Sequence, residues 1–151
     1  MNRLVRTAAL STALVAVSAP AAAQDAASTG TIVVSVSGVA SDEGEIGCAL
    51  FNQDDGFPMD RASALHAQEH AASPDGVTCQ FDALTPGSYA VSVFHDRNVN
   101  DKVDTNFLGV PKEDWGVSNG VRPRMRAPRF EEARFDLAAG QTLTLDVRVD
   151  G

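Results

Sequence analysis

Apolar and polar side chains alternate along much of the chain, and that period of two is the mark of half-buried strands. From Thr31 to Ser37, Ile32, Val34 and Val36 share one face. From Glu45 to Phe51 the shared face holds Ile46, Cys48 and Leu50. Val77, Cys79 and Phe81 alternate with Thr78, Gln80 and Asp82. Tyr89, Val91 and Val93 line one side of Ser88–His95. A short run holds Ala133, Phe135 and Leu137, and a last one Leu143, Leu145, Val147 and Val149. Turn residues punctuate these runs at Ser73-Pro74-Asp75-Gly76, Thr85-Pro86-Gly87 and Ala139-Gly140. The pattern predicts an all-β fold, a single antiparallel β-sandwich of immunoglobulin/transthyretin-like type, with a long ordered loop and at most one short helix. The helix is expected around Arg61–Ala72, and no strand signal is found between His95 and Phe130. Structureless stretches of that length are uncommon in compact domains and are often functional.

Two side chains refine the sandwich. Tyr89, the one Tyr in the chain, follows Thr85-Pro86-Gly87 at a strand start, the setting of a tyrosine corner. Cys48 and Cys79 both fall on the apolar phase of their strands, so both point into one core and a disulfide is expected. It would close a loop of about 32 residues and stabilise by roughly 3–4 kcal/mol on chain-entropy reasoning.

The N-terminus does not fit the strand pattern. Arg3 and Arg6 precede an uncharged apolar stretch from Ala8 to Ala19, and Ala21-Ala22-Ala23 supplies small residues for cleavage. Residues 1–23 read as a secretory signal, 24–30 as a flexible N-terminal segment and 31–151 as the sandwich domain. The protein is expected to be exported, periplasmic or secreted, where a disulfide persists. No second apolar run follows, so no membrane span is expected in the mature chain.

Charge sharpens this picture. The formal net charge is −8, and loss of the two leader arginines makes it −10. An acid excess argues against a nucleic-acid partner, which needs a basic face. The charge is uneven: ten acids and one base lie in 24–95, ten acids and nine bases in 96–151. An acidic face and a basic loop that meet within the molecule are therefore expected.

The stretch after the Tyr strand carries the strongest chemical signal. Asp96, Asn98, Asn100 and Asp104 place oxygens at alternating positions, as hard cations such as Ca²⁺ require. Against a helix–loop–helix calcium template, the Lys102 carbonyl takes position 7 and Asp104 position 9. Two positions depart from it: Asp101 stands where Gly is wanted and Phe107 where a bidentate Glu is wanted. A sandwich-type calcium loop fits better, completed by Glu113 or Asp114, with His95 behind the ligands. The alternative is a loop of Asx turns bonded to itself without metal.

The run Gly87-Ser88-Tyr89-Ala90-Val91-Ser92-Val93-Phe94-His95-Asp96, followed by Asn98-x-Asn100, Lys102-x-Asp104-Thr105-Asn106, Gly109-x-Pro111-x-Glu113, Gly116-x-Ser118-Asn119 and Phe130, resembles a bacterial exported family catalogued as domain of unknown function 2141. The resemblance spans most of the chain beyond residue 23 and is strongest from Leu84 to Leu137. It implies an exported sandwich-like domain and no established activity.

Other motifs invite catalytic readings that their context opposes. Gly116-Val117-Ser118-Asn119-Gly120 satisfies G-x-S-x-G, but Pro123 and Pro128 follow where a nucleophile elbow needs a helix. Ser118 and Asn119 are expected to hold backbone groups instead. His66-Ala67-Gln68-Glu69-His70 would hold zinc only on a helix and with a third ligand. Arg122, Arg124, Arg126 and Arg129 form the densest basic run and are candidate anion-binding residues, for an envelope polysaccharide, a lipid headgroup or an acidic protein. Trp115 either plugs the open end of the sandwich or serves such a partner. The leading expectation is thus an exported binding or structural module with a Ca²⁺-ordered loop. The competing one is a small cell-envelope enzyme with its site at His95 and the 96–114 loop, which requires a cleft there.

Overall fold

A computed structural model of the protein describes residues 28–109 and 111–151. The leader read over 1–23, and residues 24–27 of the segment after it, lie outside the described residues. Eight strands form two sheets. They are β1 (Gly30–Ser37), β2 (Glu45–Phe51), β3 (His66–Ala71), β4 (Val77–Leu84), β5 (Gly87–Asp96), β6 (Trp115–Val117), β7 (Phe135–Leu137) and β8 (Thr142–Arg148). One sheet runs β4-β1-β8. The other runs β3-β2-β5-β6, with β7 paired to the start of β5.

The alternating faces meet between the sheets as expected. Ile32, Val34 and Val36 from β1 pack with Cys48 and Leu50 from β2, Phe81 from β4, Val91 and Val93 from β5, and Val147 from β8. The Cys48–Cys79 disulfide joins β2 to β4 and so cross-links the two sheets through this core. Tyr89 is buried with its hydroxyl donating to the Thr85 carbonyl at 2.6 Å, the corner bond expected of it.

Four features depart from the expected outline. β1 and β8 pair in parallel, Ile32 opposite Leu143 and Val36 opposite Val147, so one ladder of the sandwich is not antiparallel. The helix expected over Arg61–Ala72 is a single 3-10 turn at Arg61–Ser63 followed by β3, antiparallel to β2. His66-Ala-Gln-Glu-His70 is therefore an edge strand, and no helical face presents two imidazoles to a zinc ion. A short strand, β6, interrupts the stretch between His95 and Phe130, pairing with Ser92–Phe94. Lastly, a second small core covers the outer face of the larger sheet, where Ala49, Phe51, Ala90 and Val117 meet Phe130 and Ala133 of the one α-helical turn, α1 (Phe130–Ala133). Two edge-to-face ring contacts, Phe51–Phe57 and Phe57–Phe130, close this layer. Among the described residues no helix is long and apolar enough to cross a membrane.

Candidate functional site

The long loop leaves the end of β5 and returns at β6. Its entry is fixed by Gly44, which has φ +73°. A Cβ there would stand 2.1 Å from the Asp96 carbonyl oxygen. Only glycine accepts both that backbone conformation and that approach. The loop's far side folds back on itself through Thr105 opposite Pro111 and a Lys112 N–H bond to the Asp104 carbonyl at 2.8 Å.

Within the loop the oxygen-bearing side chains bond to one another and to backbone. Asp96 is buried, and its carboxylate accepts from the N–H groups of Asn100 (3.2 Å) and Asp101 (2.8 Å). Asp104 accepts from both amides: Asn98 Nδ2 at 2.7 Å and Asn100 Nδ2 at 3.0 Å. Asn100 Oδ1 accepts the Lys102 N–H at 2.9 Å, so Lys102 enters this network through its nitrogen. Glu113 is buried and accepts the Asp104 N–H at 3.2 Å, closing the circuit from the far strand of the loop. Asp114, the other carboxylate considered, turns away to Arg97 at 2.5 Å. Asp101 has φ +59°. The position that departs from the glycine of the calcium template thus adopts a left-handed conformation, which Asp tolerates better than most side chains.

Electrostatics concentrate on Glu113. Burial, first, and then the nearby carboxylates of Asp96 and Asp104 push its pKa up, while the backbone N–H groups of Asp104 and Arg97 oppose the shift. Among the described residues no three His, Cys, Asp or Glu side chains are grouped so that they could hold a metal ion. As it stands the loop is joined by amide–carboxylate and backbone bonds.

His95 belongs to the interior. Its ring is fully buried on the Tyr89–Val91–Val93 face of β5, and Nε2 donates to the Glu43 carbonyl at 2.7 Å. That bond puts the proton on Nε2, and Nδ1 has no hydrogen-bond partner among the described residues. Among the described residues the ring makes no hydrogen bond to the loop's oxygen-bearing side chains. Ser118 is also buried: Oγ accepts the Val91 N–H at 3.0 Å and donates to the Ala133 carbonyl at 2.6 Å. Asn119 Nδ2 donates to the carbonyls of Glu132 (3.2 Å) and Arg134 (3.0 Å). The G-x-S-x-G segment therefore ties β5 to α1, as expected, and its hydroxyl is not poised for attack. In β3, Glu69 pairs with Arg61, and His70 lies 3.3 Å from Gln68 Oε1.

The basic run divides. Arg122 lies 4.4 Å over the Trp115 ring and pairs with Asp150. Arg126 grips Glu132 through two bonds of 2.8 and 2.6 Å and pushes that carboxyl down to about 2. Arg124 and Arg129 have no ion pair among the described residues. The ion pairs formed among the described residues all lie within one half of the chain or the other. The acidic first half and the Arg loop do not meet in this way. Arg122 and Arg126 pair instead with Asp150 and Glu132, acids of their own half of the chain.

A two-sheet sandwich, cross-linked by one disulfide and carrying a self-bonded loop after β5, defines an all-β module by architecture. The chain belongs to the family described as an uncharacterized protein conserved in bacteria, domain of unknown function 2141, whose sequence model matches residues 34–144. No curated protein and no solved structure matches the chain.

Proposed function

We propose that the protein is an exported binding or structural module whose 96–113 loop is ordered by a divalent cation, Ca²⁺ by its chemistry. The observation that carries this reading is one hydrogen-bonded circuit that takes in the loop's oxygen-bearing side chains and its backbone N–H groups. Asp96, Asn98, Asn100, Asp104 and Glu113 are joined within it although Glu113 is nine residues beyond Asp104. Carboxylates and amides are the donors a hard cation takes. The same amides that now donate to Asp104 present carbonyl oxygens when rotated, and Lys102 adds a backbone carbonyl. The left-handed Asp101 supplies the sharp turn that such loops need, and Glu113 stands in for the missing carboxylate at Phe107. The ion would supply positive charge where Asp96, Asp104 and Glu113 repel one another, replacing the amide bonds.

Export is supported by the Arg3/Arg6 leader pattern and by the inter-sheet disulfide. The enzyme reading is less favoured, since His95 is fully buried and is not among the residues that line the cleft between the 105–112 and 121–129 loops. Calorimetric titration with Ca²⁺ tests the proposal. Binding is expected with a dissociation constant of about 10⁻⁴–10⁻³ M, the range of extracellular modules with few carboxylates. Asp104→Ala should abolish the heat and leave the β circular-dichroism spectrum unchanged. Absence of binding heat in the unsubstituted protein contradicts it.

A further inference from the structure

A cleft of about 480 Å³ opens between residues 105–112 of the long loop and the 121–129 loop, and Pro58 and Met59 also line it. That volume falls in the range of small-molecule sites. Its chemistry is one-sided. Pro58, Pro111, Pro123 and Pro128 line it together with Leu108, Met125 and the Trp115 ring. Prolines bring no backbone N–H, and no Ser, Thr, Asn, Gln, Asp or Glu side chain lines the wall. A sugar needs several fixed polar partners, and the lining offers few side chains of that kind. The two charged groups in the lining are Arg124 and Arg126. Arg126 is neutralised by Glu132. Arg124 is exposed and has no ion pair among the described residues, so one unspent guanidinium stands beside an apolar cleft. The rim is apolar as well: Met125 is 95 % exposed and Leu108 72 %, and Phe107 beside it is 95 % exposed. Side chains of that kind, clustered and uncovered, mark interaction surfaces.

We propose that this cleft binds an anionic amphiphile, its hydrocarbon chain held among the prolines, Leu108, Trp115 and Met125 and its acid headgroup paired with Arg124. Charge complementarity selects the anion, and the absence of polar lining selects the chain. The site shares the 105–112 segment with the loop proposed to take a cation, but none of the proposed cation ligands lines it.

Trp115, the one Trp in the chain, reports on its own wall. The purified protein is titrated in EDTA with dodecanoate below its micelle concentration, and Trp115 emission is followed. A saturable blue shift is expected with dodecanoate, and none with acetate. Dodecyltrimethylammonium should bind about tenfold more weakly or not at all, and Arg124→Gln should cost dodecanoate about tenfold. Met125→Asp and Leu108→Asp, both at exposed positions, should remove the response while the melting temperature holds. Flotation with phosphatidylglycerol vesicles separates a free amphiphile from a membrane-borne one. Binding to both, with the same sensitivity to Arg124→Gln, places the headgroup of a bilayer lipid at the site. Binding to dodecanoate alone makes the ligand a free acid. The proposal is overturned if dodecanoate gives no saturable change, or if the cationic amphiphile binds equally well. It is also overturned if vesicles bind without any dodecanoate response, or if emission shifts with protein concentration as a dimer forms, since a second copy then fills the cleft.

Discussion

Glu113 concentrates the conflict that the loop has to resolve. Burial and the neighbouring carboxylates raise its pKa above the ordinary 4.5. The stability it contributes is therefore fully present below the ordinary value and is lost as pH rises through the raised one. At neutral pH without a cation, its charge is a cost to the fold. Glu113→Gln keeps an oxygen for the Asp104 N–H and removes that charge. In EDTA at pH 7 the variant should melt higher than the parent, and Ca²⁺ should no longer move its melting temperature. A lower melting temperature in EDTA would mean that the charged form is favourable, contrary to the account. Ser118 shows the opposite case, a polar group wholly satisfied by backbone. Ser118→Ala strands the Val91 N–H and the Ala133 carbonyl in the interior, and urea unfolding should show a loss of about 2–3 kcal/mol. A change below about 0.5 kcal/mol would show that these groups find other partners.

Among the elements, β2 and β4 carry the sandwich's covalent cross-link between sheets. Replacing Cys48 and Cys79 together by Ala should lower unfolding stability by roughly 3–4 kcal/mol in urea, with the β spectrum retained. The strands flanking that bridge were legible because each has a buried and an exposed face, which writes a period of two into the sequence. β3 was not legible: His66–Ala71 is an edge strand with polar residues on both faces and few buried side chains. A polar segment with histidines four apart reads as readily as a helix. β6 is three residues long, too short to establish any period. β5 is buried on both faces from Tyr89 onward, so its alternation was half the story. Ala90, Ser92 and Phe94, uncharged at positions read as outward, were the signal of the second core. The parallel β1–β8 ladder had no local signature, because its two strands are the first and the last of the eight along the chain.

Over the whole molecule, net charge said little and spacing said more. The oxygen residues of 96–104 were legible as a set because they recur at alternate positions, whereas the participation of Glu113 depends on the fold-back at Thr105 and Pro111. His95 read as the strand end at the loop mouth, behind the ligands, and strand parity turns its ring into the core. The Arg run read as one basic patch, but Asp150 and Glu132 claim two of its members and leave Arg124 beside an apolar cleft. The two proposals then meet on one loop: a cation among the oxygen-bearing residues of 96–113, and an acyl chain in the proline-walled cleft along its 105–112 segment. Thermal unfolding in EDTA and in excess Ca²⁺ bears most directly on the first, which is the central claim. At ten to a hundred times the dissociation constant the ion should raise the melting temperature by roughly 3–10 °C. Superimposable melting curves in EDTA and Ca²⁺ would contradict a cation-ordered loop.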